Sequence, residues 1–419
     1  KGHKVQQRSF PENEKSFALK DLVQKYCGIP ADTFSELFGK DFCFADLDLE
    51  TALGYAAKDT HVTDLLYKFQ MVHFMKHPKL YEYYMKVENP LIPVLVGMER
   101  TGFEMDIEYA KVYGSQLAVE INELRQNLVQ YFGNINYNSS QQLKPVLERI
   151  VGKKLESTDA KKVLKPLAMD FEAIRLLLEY KDLVKLNTTY VDALPKKRKN
   201  DGRIHGNFGQ INTDTGRLNS SGPNLQNLGK RARKLFIAPK GKVILSGDFS
   251  QQEPRFLAHF TQEEALVQAY QEGKDLYATA AAELYNKTVE ECGDGSQERK
   301  NMKFGILSVM YSTGPKTLAS QIGTTEKVAK EFIDAFYAKY KKVGKWIEEN
   351  NKFTAKHGYI EMLYGRKRRL SDINSRDKWT RIKTERKVTN AKIQGSAAIQ
   401  TKLTMIAIYR WCLKHGYEM

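Results

Sequence analysis

At 419 residues the chain is too long for one compact core, and roughly two to four domains are expected. Its 42% hydrophobic and 11% aromatic content excludes wholesale disorder. The 66 Lys plus Arg outnumber the 50 Asp plus Glu by 16, which favours a polyanionic partner; no apolar run approaches the roughly 18 residues of a membrane span, so nucleic acid is preferred to a membrane. Cys27, Cys43, Cys292 and Cys412 are scattered without a CxxC pair, which argues against a zinc site and for free thiols in a reducing compartment. The chain opens on Lys1 and stops at Met419 without tail-like composition, as expected of a fragment or processed piece.

In chain order, residues 1 to about 80 read as amphipathic helices, among them "SFALKDLVQKYCG" and "ETALGYAAKDTHVTDLLYKF". "ENPLIPVLVGMERTGFEMD" adds an apolar helical stripe through Leu95 and Met98, halted near Gly102. Two helical stretches, 110–132 and 171–194, flank the polar turn "NYNSSQQLK" and can stand as a hairpin. "PKKRKNDGR", 195–203, is a charged linker, either a solvated loop or a phosphate contact. Strand-like runs around "GRIHGNFGQIN" and "KVILSG" predict a sheet in the middle of the chain, and long helices resume from 259 to about 370.

Four segments carry chemistry-bearing residues. In "ILSGDFSQQEPRF", 244–256, a β-branched run stops at Asp248 as if at the end of a buried strand; Ser250 with Glu253 three residues on reads as a capping box, and turn chemistry alone would explain the carboxylate. "TDTGRLNSSGPNLQN" places Arg217, Asn224, Gln226 and Asn227 on a loop that is otherwise an ordinary surface turn. Arg299, Lys303, Leu307 and Tyr311 recur at steps of four, so they share one broad helix face with the cations at its N-terminal end, where free N–H groups already favour a phosphate. A plain amphipathic helix with a basic end has the same pattern. Arg386, Asn390 and Gln394 repeat the step in "TERKVTNAKIQGSAAI", suited either to solvent or to nucleic-acid backbone and minor-groove edges.

The order of these segments resembles family A DNA polymerases, the bacterial polymerase I type. "GDFSQQEPR" is similar to that family's motif A, Arg299 to Tyr311 to its motif B, "TGRLNSSGPNLQN" to its primer-template loop, and "ERKVTNAKIQG" to its later DNA-binding helix; "YAAKDTHVT", with Tyr55 and Asp59, looks like the last motif of a 3′–5′ exonuclease. The resemblance runs from near residue 10 to the end of the chain and implies an α+β right hand, with a truncated RNase H-like exonuclease at 1–80. It places palm at 81–108, 193–258 and 379–419, thumb at 109–192 and fingers at 259–378. It implies template-directed transfer of a nucleotidyl group from dNTP to a primer 3′-OH by two Mg²⁺ ions, for which Mn²⁺ can substitute, with 3′–5′ proofreading in the complete protein.

By that resemblance Asp248 and the Phe249 carbonyl bind the metals, and Arg299 and Lys303 hold the triphosphate, Lys303 as a candidate proton donor to pyrophosphate. Gln251, Tyr277, Leu307 and Tyr311 line the nucleotide site, with Glu253 as the gate against ribose. Arg217, Asn224, Gln226, Asn227, Arg386, Asn390 and Gln394 contact primer-template DNA. The chain departs from the family pattern at Pro254, at Tyr277 in place of a histidine, at Leu307 in place of an aromatic residue and at Ser312 in place of glycine, which points to a divergent phage or organelle lineage. The family's second metal-binding carboxylate, in a His-Asp-Glu segment, is expected beyond Met419, so a complementing C-terminal polypeptide or a processivity factor joins the expected partners. The expected location is a bacterial or phage-infected cytoplasm or an organelle matrix. The alternative is a non-catalytic or split-gene piece that binds primer-template DNA; single-subunit RNA polymerases share the metal logic, but Glu253 and the exonuclease remnant argue against them.

Overall fold

A computed structural model describes residues 16–419, so the first fifteen residues of the expected exonuclease piece, including the start of the resemblance near residue 10, lie outside the described residues. The chain divides into two compact units, one running to Lys86 and the other Val87–Met419.

In the first unit, helix α1 (Leu19–Cys27) ends on Gly28 in the left-handed conformation and packs Val23 against Val62 and Leu66 of the long helix α2 (Leu49–Met75). The Asp48 carboxylate caps α2 by accepting from the Thr51 amide at 2.9 Å.

The second unit begins with α3 (Asn89–Thr101) and β1 (Phe103–Met105). The expected hairpin forms α4 (Ile107–Phe132) and α6 (Glu172–Lys185), packed side by side with α5 (Ser140–Val151) between them in sequence; Leu128, Leu143, Leu147, Ile174 and Leu177 make its core. The sheets are small and antiparallel. β1 lies between β2 (Arg203–Ile204) and β5 (Phe236–Ile237), with Phe103 opposite Ile204 and Met105 opposite Phe236; β3 (Asn207–Gly209) pairs with β4 (Asn219–Ser221). The predicted strand at 243–247 does not form: Val243 is 79% and Leu245 91% exposed. A β-branched run becomes a strand only beside another strand, and none among the described residues pairs with this one.

Helices α7 (Gln252–Thr261), α8 (Glu264–Gln271), α9 (Leu276–Tyr285), α10 (Gln297–Met310), α11 (Pro315–Ile322), α12 (Glu326–Lys339) and α13 (Lys341–His357) follow, then the β6 (Tyr359–Glu361) and β7 (Lys367–Arg369) hairpin. The last helix, α14 (Lys378–His415), organises the unit. Its Ile393 enters the core built by Leu257, Ile306, Val309, Phe336 and Val343, while Ile406, further along, packs on Leu91, Val94 and Leu95 of α3.

Between those contacts Lys402, 2% exposed, places its ammonium 2.7 Å from the Glu88 carboxylate. The Gln210 amide, beside β3, donates to the Glu88 carbonyl at 2.7 Å and to its carboxylate at 2.5 Å. Burial pulls the Lys402 ammonium below the usual lysine range, and Glu88 opposes that pull. Removing one partner strands a buried charge. Glu88→Ala should cost roughly 3–5 kcal/mol, whereas Glu88→Leu with Lys402→Met should recover most of the loss. Urea unfolding midpoints at matched slopes check both expectations.

Candidate active site

Helix α7 does not start on the expected capping box. Its N-terminal flanking residue is Gln251 at φ 52°, a left-handed conformation that a non-glycine residue adopts at a cost, and Ser250 makes no side-chain cap. Glu253 is drawn away instead: its carboxylate accepts from Arg217 Nη2 at 2.5 Å and from the Tyr311 hydroxyl. Tyr311 ends α10, and Gln394 of α14 reaches the same hydroxyl. Four segments distant in sequence therefore meet at one carboxylate and one phenol. Desolvation first, and then the Glu253 charge, push the Tyr311 phenol well above the usual tyrosine range.

The basic end of α10 is equally ordered. Ser296 caps it by accepting from the Arg299 amide at 3.1 Å. The Arg299 guanidinium binds Asp275 through Nε at 2.9 Å and Nη2 at 2.7 Å, reaches Asp294 at 3.2 Å and lies 5.7 Å from the centre of the Tyr277 ring. Asp275 also caps α9, accepting from the Tyr277 and Ala278 amides at 2.9 and 3.1 Å. Tyr277 is buried, and its phenol is pushed up by desolvation and next by Glu253, so the two clusters are neighbours. Lys303 is exposed one turn beyond Arg299, and Leu307 packs on the core beneath.

Asp248 and Phe249 lie on the exposed, unpaired stretch before α7, not at the end of a buried strand. The turn after them is held tightly. Arg255 Nε donates to the Ser250 carbonyl at 2.9 Å and its guanidinium sits 4.4 Å over the Tyr270 ring, while the Tyr270 hydroxyl donates to Gln251 Oε1 at 3.3 Å. Gln252 donates to α14 at the Ala397 carbonyl (3.2 Å), Gln400 (2.9 Å) and Thr401 (3.2 Å).

On α14, Arg386 is exposed, and the Asn390 side-chain oxygen Oδ1 is buried with no hydrogen-bond partner among the described residues. Asn224, Gln226 and Asn227 are exposed further along the Arg217 loop and bond elsewhere: Asn224 Oδ1 accepts from the Gln226 amide at 3.1 Å, and the Asn227 carbonyl accepts from the Tyr190 hydroxyl at 3.0 Å. In the first unit, Asp59 pairs with Lys20, whose ammonium lies 4.8 Å over the Tyr55 ring; Phe34, Phe38 and Phe44 surround that ring. Gln252 and Asp275 were not singled out in the sequence. Asp275 carries a cap signal, an acid just before a helical run, whereas nothing in the local sequence separates Gln252 from Gln251.

The chain belongs to DNA polymerase family A, whose family description matches residues 107–419. It is 34% identical over 422 residues to DNA polymerase I of Chloroflexus aurantiacus, covering 95% of this chain and 44% of that one. To the thermostable DNA polymerase I of Thermus caldophilus it is 35% identical over 385 residues, covering 87% of this chain and 45% of the relative. The chain thus spans less than half the length of these relatives. Among solved structures, the POL domain of Pol1 from M. smegmatis, in complex with DNA primer-template and dNTP, superposes with a TM-score of 0.79 at 26% identity, covering 96% of this chain and 70% of that one.

The Tyr311 phenol offers a direct check of the cluster. Glu253→Gln removes the neighbouring negative charge, so the phenol should titrate at lower pH than in the parent while staying above the ordinary tyrosine value because burial persists. Ring-labelled tyrosine NMR across the alkaline range, with Tyr311→Phe to assign the signal, reads the direction of the change.

Proposed function

We propose that the chain binds a primer-template duplex and a deoxynucleoside triphosphate and forms the body of a site for template-directed nucleotidyl transfer to a primer 3′-OH. The observation that carries this reading is the meeting of Glu253, Arg217, Tyr311 and Gln394 at one point. An isolated helix face or loop has no need of that convergence. A pocket that must hold sugar, base and the edge of a new pair together requires it.

In this reading Arg299 and Lys303 take the triphosphate at the N-terminal end of α10, where two cations add to the helix's own free N–H groups. The Asp275 carboxylate, held by two backbone amides, aims the Arg299 fork. Tyr277 beneath that guanidinium supplies a ring and a neutral hydroxyl, not a third positive charge. Tyr311 and Leu307 bracket the base, and Glu253, pinned on both sides, occupies the space a 2′-hydroxyl would need, with Gln251 at the edge of the pocket. Arg217, Arg386, Asn390 and Gln394 face the minor groove, whose acceptors alike on every base pair suit readout by shape through the donors these side chains carry. Asn224, Gln226 and Asn227 hold the primer-template strand further along the loop. Thumb at 109–192, fingers at 259–378 and palm at 81–108, 193–258 and 379–419 are the assignments that go with this reading, and a partial exonuclease with Tyr55 and Asp59 extends through residue 80.

Family A enzymes work with divalent metal. Asp248 and the Phe249 carbonyl offer hard oxygens of the right kind for Mg²⁺, which takes about six oxygen ligands. These two oxygens leave positions for water and substrate phosphate, the usual way Mg²⁺ is held; among the described residues no group of three or more His, Cys, Asp or Glu is placed to hold a metal ion. Ions bound there would offset the charge of the triphosphate, while the chain's own residues bind, orient and screen the nucleotide. A reading in which the chain grips DNA without chemistry draws on the exposure of Asp248.

Primer extension separates the two readings. In the complete protein Asp248→Ala should abolish nucleotide addition while duplex affinity stays within about threefold, under 1 kcal/mol; undiminished synthesis would refute the assignment of Asp248. Duplex affinity should also fall by roughly 10³ between 50 and 200 mM salt if about six phosphates are neutralised, and a flat salt dependence in a filter-binding titration would count against the basic surface.

A further inference from the structure

The β6–β7 hairpin reaches back to the loop that carries Arg217. Arg366 Nη1 donates to the Thr215 carbonyl at 2.6 Å, and Arg368 Nη2, on a side chain only 13% exposed, donates to the Asp214 carboxylate at 2.8 Å. Directly after those anchors Gly216 sits at φ +81° under the Arg366 guanidinium, and a Cβ there would overlap the guanidinium nitrogen. Within the loop the Thr213 hydroxyl donates to the Arg217 carbonyl at 2.6 Å, so what holds residues 214–216 also fixes Arg217.

The same hairpin grips α14 beside Gln394. The Met362 side chain fills the space left by Gly395, where a Cβ would strike its sulfur; Lys392 Nζ donates to the Glu361 carbonyl at 2.5 Å; and the Leu363 amide donates to Ser396 Oγ at 3.3 Å. Arg366 also contacts Met362 at 3.6 Å and lies close enough to Lys402 to weigh on its ammonium. Arg217 and Gln394 are the two outer arms of the Glu253–Tyr311 cluster, and one hairpin holds both.

We propose that Arg366 is a positioning residue that clamps the 213–217 loop and acts on primer-template binding through Arg217. The proposal rests on the functional reading above for what Arg217 does, and on contact geometry alone for the clamp. A planar fork is needed, because it must lie flat over Gly216 while one nitrogen reaches Thr215.

The test uses the full chain with Arg366→Met, Gly216→Ala, Arg217→Ala and the Arg366→Met/Arg217→Ala double variant. Tryptic cleavage after Arg217, followed by mass spectrometry, reads the clamp without any assumption about function. Arg366→Met should speed it about tenfold, the equivalent of one hydrogen bond from a charged group, and Gly216→Ala, which displaces the guanidinium from the other side, should do the same and serves if Arg366→Met does not fold. An unchanged cleavage rate overturns the clamp. Affinity for a primer-template duplex then closes a cycle: the double variant should bind like Arg217→Ala alone, and additive losses overturn action through Arg217. If Arg217→Ala binds the duplex as the parent does, the functional reading fails, and with it the consequence drawn for Arg366.

Discussion

A buried ammonium governs this architecture. Lys402 has almost no surface, so its charge is tolerable only because Glu88 meets it, and that requirement fixes the depth and rotation of α14 against the segment entering α3. Nonspecific apolar packing of Ile406 on Leu91, Val94 and Leu95 would allow the helix to turn or slide; an ion pair with a third partner in Gln210 allows one register. With α14 fixed, Gln394 and Asn390 are aimed, Ile393 is committed to the helical core, and Gln252 finds its three acceptors one to two turns further along the helix.

The candidate site then depends on a sequence of mutually limiting contacts. Glu253 is available to Arg217 and Tyr311 because α7 begins in a left-handed turn and not in the reciprocal cap that Ser250 and Glu253 would otherwise make. Strain at Gln251 is offset by Arg255 and Tyr270, which close over the same turn. The carboxylate is thus oriented before any ligand arrives, and orientation set in advance is what a pocket selecting between closely similar sugars needs. Arg299 is organised on the same principle, with Asp275 serving both as the cap of α9 and as the partner that directs the guanidinium.

Much of this was legible in the sequence where helical period alone decides the outcome. The step-of-four recurrence from Arg299 to Tyr311 and from Arg386 to Gln394 puts those side chains on one face whatever the tertiary context, and the ordered motifs identified the polymerase family. Strand 243–247 failed for the complementary reason. Its β-branched residues are compatible with a strand, but pairing is a property of two segments, and the described residues supply only one. Lys402 and Arg366 were illegible because each reads locally as a solvated cation; what gives them meaning are partners 314 and 151 residues away. Gln252 was hidden by its neighbour, since Gln251 and Gln252 differ only in which way a strained turn points them.

The most direct measurement is competitive binding of a dNTP and the matching rNTP to the chain preassembled on primer-template DNA, for the parent and for Glu253→Ala. If Glu253 is the carboxylate that the surrounding contacts exist to hold, the parent favours the deoxynucleotide and the variant loses that preference while keeping its affinity for the duplex. Equal preference in parent and variant would contradict the assignment, because the convergence of Arg217 and Tyr311 on that residue, with Gln394 at the Tyr311 hydroxyl, would then serve packing alone.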